Sequence, residues 1–299
     1  MLSNRYALGI DIGGTHFRMG LVAEDGTLFA FEKRATETLS GDDPTALLGD
    51  AILDYICRNG VGNRVASICI GFPATVDKAR ETVLSAPNVR GFDGVAVGKL
   101  LSARLGLPVL IERDVNLLLL DDMQRLALQS KDVVAVYVGT GIGNAILLDG
   151  HLLVGHNGVA GELGHIPYGD TQTVCGCGNE GCAEALAGGL YLARLCREQF
   201  SGEPVEALFS RHGDHPLLRE YVERLGRVIA TEINLLDPEA VVLGGGVIAM
   251  ADFPKKALES SIFAHVRKPF PHDNLKIRYS AAEHGVIGAG ILAWRRIKG

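Results

Sequence analysis

The sequence predicts an α/β fold in two lobes, and two observations carry that prediction. A strand, glycine turn, strand, Asp-Gly turn, strand pattern occurs twice, and alternating βα units follow each copy. The first copy runs through Ala7, Leu8, Gly9 and Ile10 into Asp11-Ile12-Gly13-Gly14-Thr15, then 17–22, Asp25-Gly26 and 28–31. The second runs through 133–138 into Gly139-Thr140-Gly141-Ile142-Gly143, then 145–148, Asp149-Gly150 and 152–154. Asp-Gly suits the positive backbone angles of a tight hairpin. Each copy therefore reads as a three-stranded antiparallel meander, and the repeat implies two related lobes.

The segments between and after the meanders supply the βα units. Leu47, Leu48, Ile52, Leu53 and Ile56 fall on one helical face, which predicts a helix over 44–59. The short apolar runs 65–70 and 109–112 read as buried strands, and 116–128 as a helix. In the second half, 183–200 reads as one helix stopping near Ser201-Gly202, and 215–236 as a long helix ended by Asp237-Pro238. A buried strand at 240–243 feeds Gly244-Gly245-Gly246, and a helix over 286–296 closes the chain. No Pro/Ser-rich linker marks a boundary. The expected division is a small lobe of residues 1–116 plus 286–299 and a large lobe of residues 117–285.

Composition narrows the function. A chain of 299 residues accommodates one large domain or two ordinary ones, and 47% hydrophobic content supports a substantial core. A net charge of −6 advertises no basic face for nucleic acid. No apolar run is long enough to span a bilayer. Met1-Leu2-Ser3-Asn4-Arg5 enters a strand pattern directly, so no signal peptide is expected. Cys57, Cys69 and Cys196 lie in apolar stretches and read as free buried thiols. These features together point to the cytoplasm.

The other three cysteines carry chemistry. Gly161-Glu162-Leu163-Gly164-His165 precedes Cys175-Gly176-Cys177-Gly178-Asn179-Glu180-Gly181-Cys182-Ala183-Glu184. One imidazole and three thiolates form the ligand set of a closed tetrahedral zinc site: His165, Cys175, Cys177 and Cys182. Glycines let the backbone bring three sulfurs to one point. A disulfide or a set of inert thiols would explain neither His165 nor the glycine spacing. Glu162 and Glu184 bracket the site without being needed to complete it, which suggests a metal that shapes a binding pocket.

The glycine turns offer backbone N–H groups to an anion. Gly13, Gly14 and Thr15 in the first turn, Thr140, Gly141 and Gly143 in the second, and Gly244 and Gly245 after a buried strand together read as a nucleotide phosphate site. For either turn alone the plainer reading is a hairpin. Asp11 ends an apolar strand and fits a Mg²⁺ ligand acting through water, because Mg²⁺ prefers carboxylate plus phosphate and keeps several waters. A turn cap is its alternative role. Asp114 follows the strand at 108–112, at the carboxyl end where open α/β sheets place ligands. A carboxylate there can take the proton of an alcohol attacking a phosphoryl group, or it can simply cap the next helix. Spacing does not choose between them.

At these residues the chain resembles the ROK sugar kinases and repressors of the sugar kinase/actin-like ATPase superfamily. The likeness covers nearly the whole chain, with anchors at 11–15, Arg113-Asp114-Val115-Asn116, 139–143, the zinc signature over 164–184, and 244–246. It implies a two-lobed actin-like ATPase fold, a duplicated ribonuclease-H-like unit with a zinc knuckle in the second lobe. It implies ATP as co-substrate, Mg²⁺, structural Zn²⁺ and phosphorylation of a hexose at the C6 hydroxyl. It makes Asp114 the general base and places Asn88, Glu162, His165 and Glu184 on sugar hydroxyls, His165 using one ring nitrogen for zinc and the other for sugar. It further implies a homodimer or homotetramer. One departure stands out: the family has Asn before the catalytic Asp, and here the residue is Arg113. With 71–77, 113–116 and 161–170, this looks most like the family's allose-phosphorylating branch. Arg113 then reads the epimeric hydroxyl, or else points away and pairs with an acid. Glucokinase and N-acetylmannosamine kinase are the nearest rivals. A sugar-sensing regulator is the non-enzyme alternative, disfavoured because the first phosphate turn begins at residue 11 and leaves no room for a helix-turn-helix.

Overall fold

The computed structural model describes residues 5–169 and 172–298. Met1–Asn4 and the last residue of the 161–170 segment lie outside them. The chain forms two compact units. One comprises the chain through Gln129, Val154–Ala160 and the chain from Ala281; the other comprises Ser130–Leu153 and Gly161–Ser280.

The first unit opens with the expected meander: β1 (Tyr6–Ile12), β2 (His16–Val22) and β3 (Leu28–Ala35). Then come α1 (Pro44–Arg58), β4 (Val65–Phe72), a small hairpin of β5 (Thr75–Val76) and β6 (Val83–Ser85), α2 (Val97–Leu105), β7 (Val109–Arg113) and α3 (Asp114–Arg125). The sheet order is β3-β2-β1-β4-β7, with β4 and β7 parallel to β1. β4 is buried at every position, which is why it reads as an unbroken apolar run. Asp43 caps α1 by accepting from the Ala46 N–H at 2.9 Å, and Pro44 sits where a missing donor costs nothing.

The second unit repeats the design. It contains β8 (Val133–Val138), β9 (Ile142–Leu148), β10 (His151–Leu152), α4 (Glu184–Ala187), α5 (Gly189–Gln199), α6 (Leu208–His212), α7 (Pro216–Leu236), β11 (Ala240–Gly244), α8 (Lys255–His265) and β12 (Lys276–Tyr279). Its sheet order is β10-β9-β8-β11-β12, again with two strands parallel to the first of the meander. The repeat read from the glycine turns thus extends to two whole mixed sheets. Each unit has its own apolar core.

The last helix, α9 (Val286–Lys298), returns to the first unit and packs on β1, β4 and α3. The approach requires bare backbone: a Cβ on Gly288 would lie 1.9 Å from the Leu117 carbonyl oxygen. Two buried carboxylates hold the entry to this helix. Asp122 accepts from the Ala281 and Ala282 N–H groups, and Asp121 from that of Ile287.

Five expectations change. Cys57 is exposed rather than buried. The boundary falls after Gln129 rather than at Asn116, because α3 packs against α9 and belongs with the first unit. The third strand of the second meander is only His151–Leu152, since the chain leaves the sheet at Val154. The helix expected over 183–200 is two, separated at Gly188. The helix after β7 begins at Asp114, with Arg113 as the extended residue before it, so Asp114 is not a cap. No helix among the described residues is long and apolar enough to cross a membrane.

Candidate active site and metal centre

In the first unit, β1, β7 and α3 bring Asp11 and Asp114 together. Asp11 is 7% exposed at the end of β1. Burial raises its carboxyl above the ordinary range, against the Gly285 N–H and the Arg18 guanidinium. Asp114 stays partly accessible, but dense packing around it dominates. Burial first, and the neighbouring Asp11 charge second, push it up to about 7, against the N–H of Val115. That N–H donates to Asp114 Oδ1 at 2.9 Å.

The first glycine turn closes beside these acids. Gly13 N–H donates to His16 O at 2.9 Å, and Thr36 Oγ1 donates to Gly13 O at 2.7 Å. Gly14, Thr15 and Asn88 line one groove of about 450 Å³, together with His16, Thr36 and Arg90. Arg113 is 7% exposed, and its Nη1 donates to the carbonyl of Ala160.

A buried network behind Asp114 was not foreseen. Glu112 Oε1 accepts from the Arg113 N–H at 2.8 Å and from Asn116 Nδ2 at 2.9 Å. Its Oε2 meets Arg80 Nε at 3.1 Å, and Arg80 Nη1 donates to Gly158 O at 3.3 Å. Arg80 and Arg113 therefore both hold the 158–160 segment, which leads straight into Gly161 and Glu162. Arg80 sits at φ +61 in a loop, so no sequence periodicity announces it.

In the second unit, His165, Cys175, Cys177 and Cys182 present ligand atoms within 4.8 Å of one another. Cys177 Sγ and Cys182 Sγ are 3.7 Å apart, and Cys175 Sγ is 3.6 Å from His165 Nδ1. A disulfide needs about 2.05 Å. A tetrahedral metal with Zn–S near ~2.3 Å spaces its sulfurs by about 3.7 Å, so the donor set fits zinc in type and separation. Burial raises the Cys182 thiol and, joined by the Glu184 carboxylate, pushes that of Cys175 up to about 12. The Asn179 N–H holds the Cys177 thiol below its ordinary value.

The knuckle orients the flanking carboxylates. His165 Nδ1 faces the sulfurs, while Nε2 lies 3.6 Å from Glu162 Oε2. Glu184 Oε1 is 3.2 Å from Cys175 Sγ, and Oε2 accepts from the Ile142 N–H at 3.3 Å. Glu184 thus ties the knuckle to the second glycine turn. A Cβ on Gly141 would lie 2.2 Å from Glu184 Oε2. Thr140 is exposed on that turn, and Gly143, the second residue of β9, lies opposite Tyr137. Gly244 ends β11, and Gly245 follows at φ +92, where a Cβ would lie 2.5 Å from the Val138 backbone.

Two mixed sheets with glycine turns at matching strand ends, a paired Asp11 and Asp114, and a Cys3His knuckle define the class to which this chain belongs. It is a member of the ROK family, whose profile matches residues 7–296. It is 30% identical to the glucokinase of Thermotoga maritima, across 98% of each chain. It is 30% identical to the N-acetylmannosamine kinase of Salmonella typhimurium, across 96% of this chain and 97% of that one. Among solved structures, it matches a ROK family glucokinase from Streptomyces griseus in complex with glucose and AMPPNP. That match has a TM-score of 0.78 at 28% identity, covering 97% of this chain and 99% of the other.

Proposed function

We propose that this ROK-family protein, an ATP-dependent sugar kinase, phosphorylates the C6 hydroxyl of a free hexose, with D-allose preferred. The observation that carries the reading is Asp114, the first residue of α3 directly after β7, poised at about 7 by burial and by Asp11. A base with an affinity for protons near the working pH is the most effective one. Asp114 accepts the C6 hydroxyl proton as that oxygen attacks the γ-phosphorus of ATP. The glycine turns carrying Gly13, Gly14 and Thr15, Thr140, Gly141 and Gly143, and Gly244 and Gly245 hold the phosphates. Asp11 would hold Mg²⁺ through water, where the ion would supply charge to offset that of the phosphates. His165 Nδ1 and the thiolates of Cys175, Cys177 and Cys182 would hold zinc, and the ion would fix the loop that carries Glu162 and Glu184. Asn88, Glu162, His165 Nε2 and Glu184 bind sugar hydroxyls.

Arg113 is the residue assigned to substrate choice. Its anchor on the Ala160 carbonyl fixes the guanidinium, and a fixed donor discriminates between epimers. A misplaced hydroxyl leaves a buried polar group unpaired, at about 1–3 kcal/mol, or roughly 5- to 150-fold in kcat/KM. The names of the kinase relatives make glucose and N-acetylmannosamine the competing substrates. A panel of D-allose, D-glucose and N-acetylmannosamine with ATP tests the assignment. D-Allose should give the highest kcat/KM, and Arg113→Asn should narrow its lead over glucose. A wild-type preference for glucose would remove the allose assignment, and an unchanged ratio in the variant would move sugar reading to another residue.

A further inference from the structure

We propose that Arg18 is a phosphate-binding residue that exchanges partners, pairing with Asp11 in the nucleotide-free protein and with a nucleotide phosphate in the complex. The inference rests on the kinase reading and adds a residue that neither the sequence motifs nor the resemblance assigns.

The geometry is that of a cross-strand pair. Asp11 on β1 lies directly opposite Arg18 on β2, one residue pair inside the end of the ladder that closes at Gly13 to Thr15. Both side chains therefore share a face of the sheet. Arg18 Nη1 lies 3.6 Å from Asp11 Oδ2, with the arginine side chain 25% exposed. That separation is an ion pair without a good hydrogen bond, and among the described residues the Arg18 side chain makes no other ion pair. A Cβ on Gly13 would lie 3.9 Å from the same Nη1, so the guanidinium rests against the turn itself.

A guanidinium in that position has a chemical use. Its planar fork matches two phosphate oxygens, and such charge-assisted pairs are stronger than neutral ones. The Asp11 carboxylate cannot serve Arg18 and a hydrated cation equally. When Asp11 turns to the cation, Arg18 is released beside the turn where phosphate oxygens sit. Burying Asp11 and Asp114 side by side also leaves two acids facing a polyanion, and Arg18 offsets that repulsion.

The test is binding of the non-hydrolysable analogue AMPPNP by calorimetry, with and without Mg²⁺, for wild type, Arg18→Met and Arg18→Lys. Loss of a hydrogen bond to a charged group should weaken metal-free binding by roughly 10- to 150-fold in Arg18→Met. The loss should be larger with Mg²⁺, because the cation draws Asp11 away and frees Arg18 for phosphate, so the factor by which Mg²⁺ tightens binding should fall in Arg18→Met. Arg18→Lys should recover part of the metal-free affinity, because it keeps the charge and loses the fork. Equal affinities in wild type and Arg18→Met would overturn the proposal. So would a loss equal in both conditions, which reports shape alone. If wild type itself binds no AMPPNP under either condition, the kinase reading fails rather than the assignment of Arg18. Thermal melts of each variant guard against misfolding, and Arg18→Lys carries the test if Arg18→Met does not fold.

Discussion

Asp11 and Asp114 illustrate how single residues trade stability for chemistry. Each is an acid that burial holds above its ordinary range, and the Asp11 charge makes ionising Asp114 harder still. For Asp114 the folded value is near 7 against 3.8 for the free side chain. Between those limits the native state holds a proton that the unfolded chain does not. Stability from this group therefore falls as pH rises from about 4 to about 7, by up to about 1.4 kcal/mol per pH unit. Above about 7 the penalty is constant. Asp114→Asn removes it, so the variant should melt at a higher temperature than wild type at pH 8, with the gain shrinking toward pH 5. A variant that is less stable at pH 8 would show that Asp114 is held by favourable contacts rather than strained. The metal centre makes a second residue-scale prediction. Protein purified without a metal column should contain one zinc per chain by elemental analysis. Cys182→Ser should lose the metal together with hexose binding, because the same loop carries Glu162 and Glu184. Active protein free of zinc would contradict the assignment.

At the scale of elements, the local patterns were legible and the tertiary ones were not. The meanders could be read because strand alternation and Asp-Gly turns are local signals. The Cys/His knuckle could be read for the same reason. The break between α4 and α5 also had a local signal, the Gly188-Gly189 pair, which marks a turn rather than a helix interior. Its cause is tertiary: Gly189 N–H donates to Gly139 O at 2.9 Å, and a Cβ there would lie 2.2 Å from that oxygen. Strand β12 went unnoticed because it is a four-residue edge strand with no fully buried position. Helix α8 buries only Leu258 and Ile262, too few for a periodic signal. The Asp11–Arg18 pair needed the hairpin register, and the Arg80–Glu112 pair needed a left-handed loop residue. Helix α7 also holds a feature that no periodicity discloses. Glu232 is 5% exposed in its apolar face, and burial pushes its carboxyl up to about 8 against the Asn144 amide. Asn144 Nδ2 donates to Glu232 Oε2 at 3.0 Å, while Asn144 Oδ1 is buried without a partner. Glu232→Gln supplies a donor for that oxygen and removes a buried charge. Urea unfolding should show the variant to be more stable than wild type at pH 9. The gain should fall as the pH drops below about 8, where native Glu232 is already protonated. Equal stability at both pH values would mean that Glu232 reaches water when ionised.

For the whole molecule, the duplicated sheet was the easiest feature to read and the most consequential. Matching glycine turns implied matching units, and the two sheets repeat one strand order and one sense of pairing. The place where the chain passes between units was harder, because α3 follows a strand of one unit and its packing partner, α9, lies at the far end of the sequence. Family membership follows from a match over residues 7–296, and the substrate assignment adds Arg113 to it. The central claim is that Asp114 serves as the base for phosphoryl transfer from ATP to a hexose. Its most direct test compares kcat for wild type and Asp114→Asn at saturating ATP and sugar, with binding of both ligands confirmed by calorimetry. The account predicts a fall of about 10²- to 10⁴-fold in kcat with sugar and nucleotide still bound. A folded Asp114→Asn variant that turns over at close to the wild-type rate would contradict it.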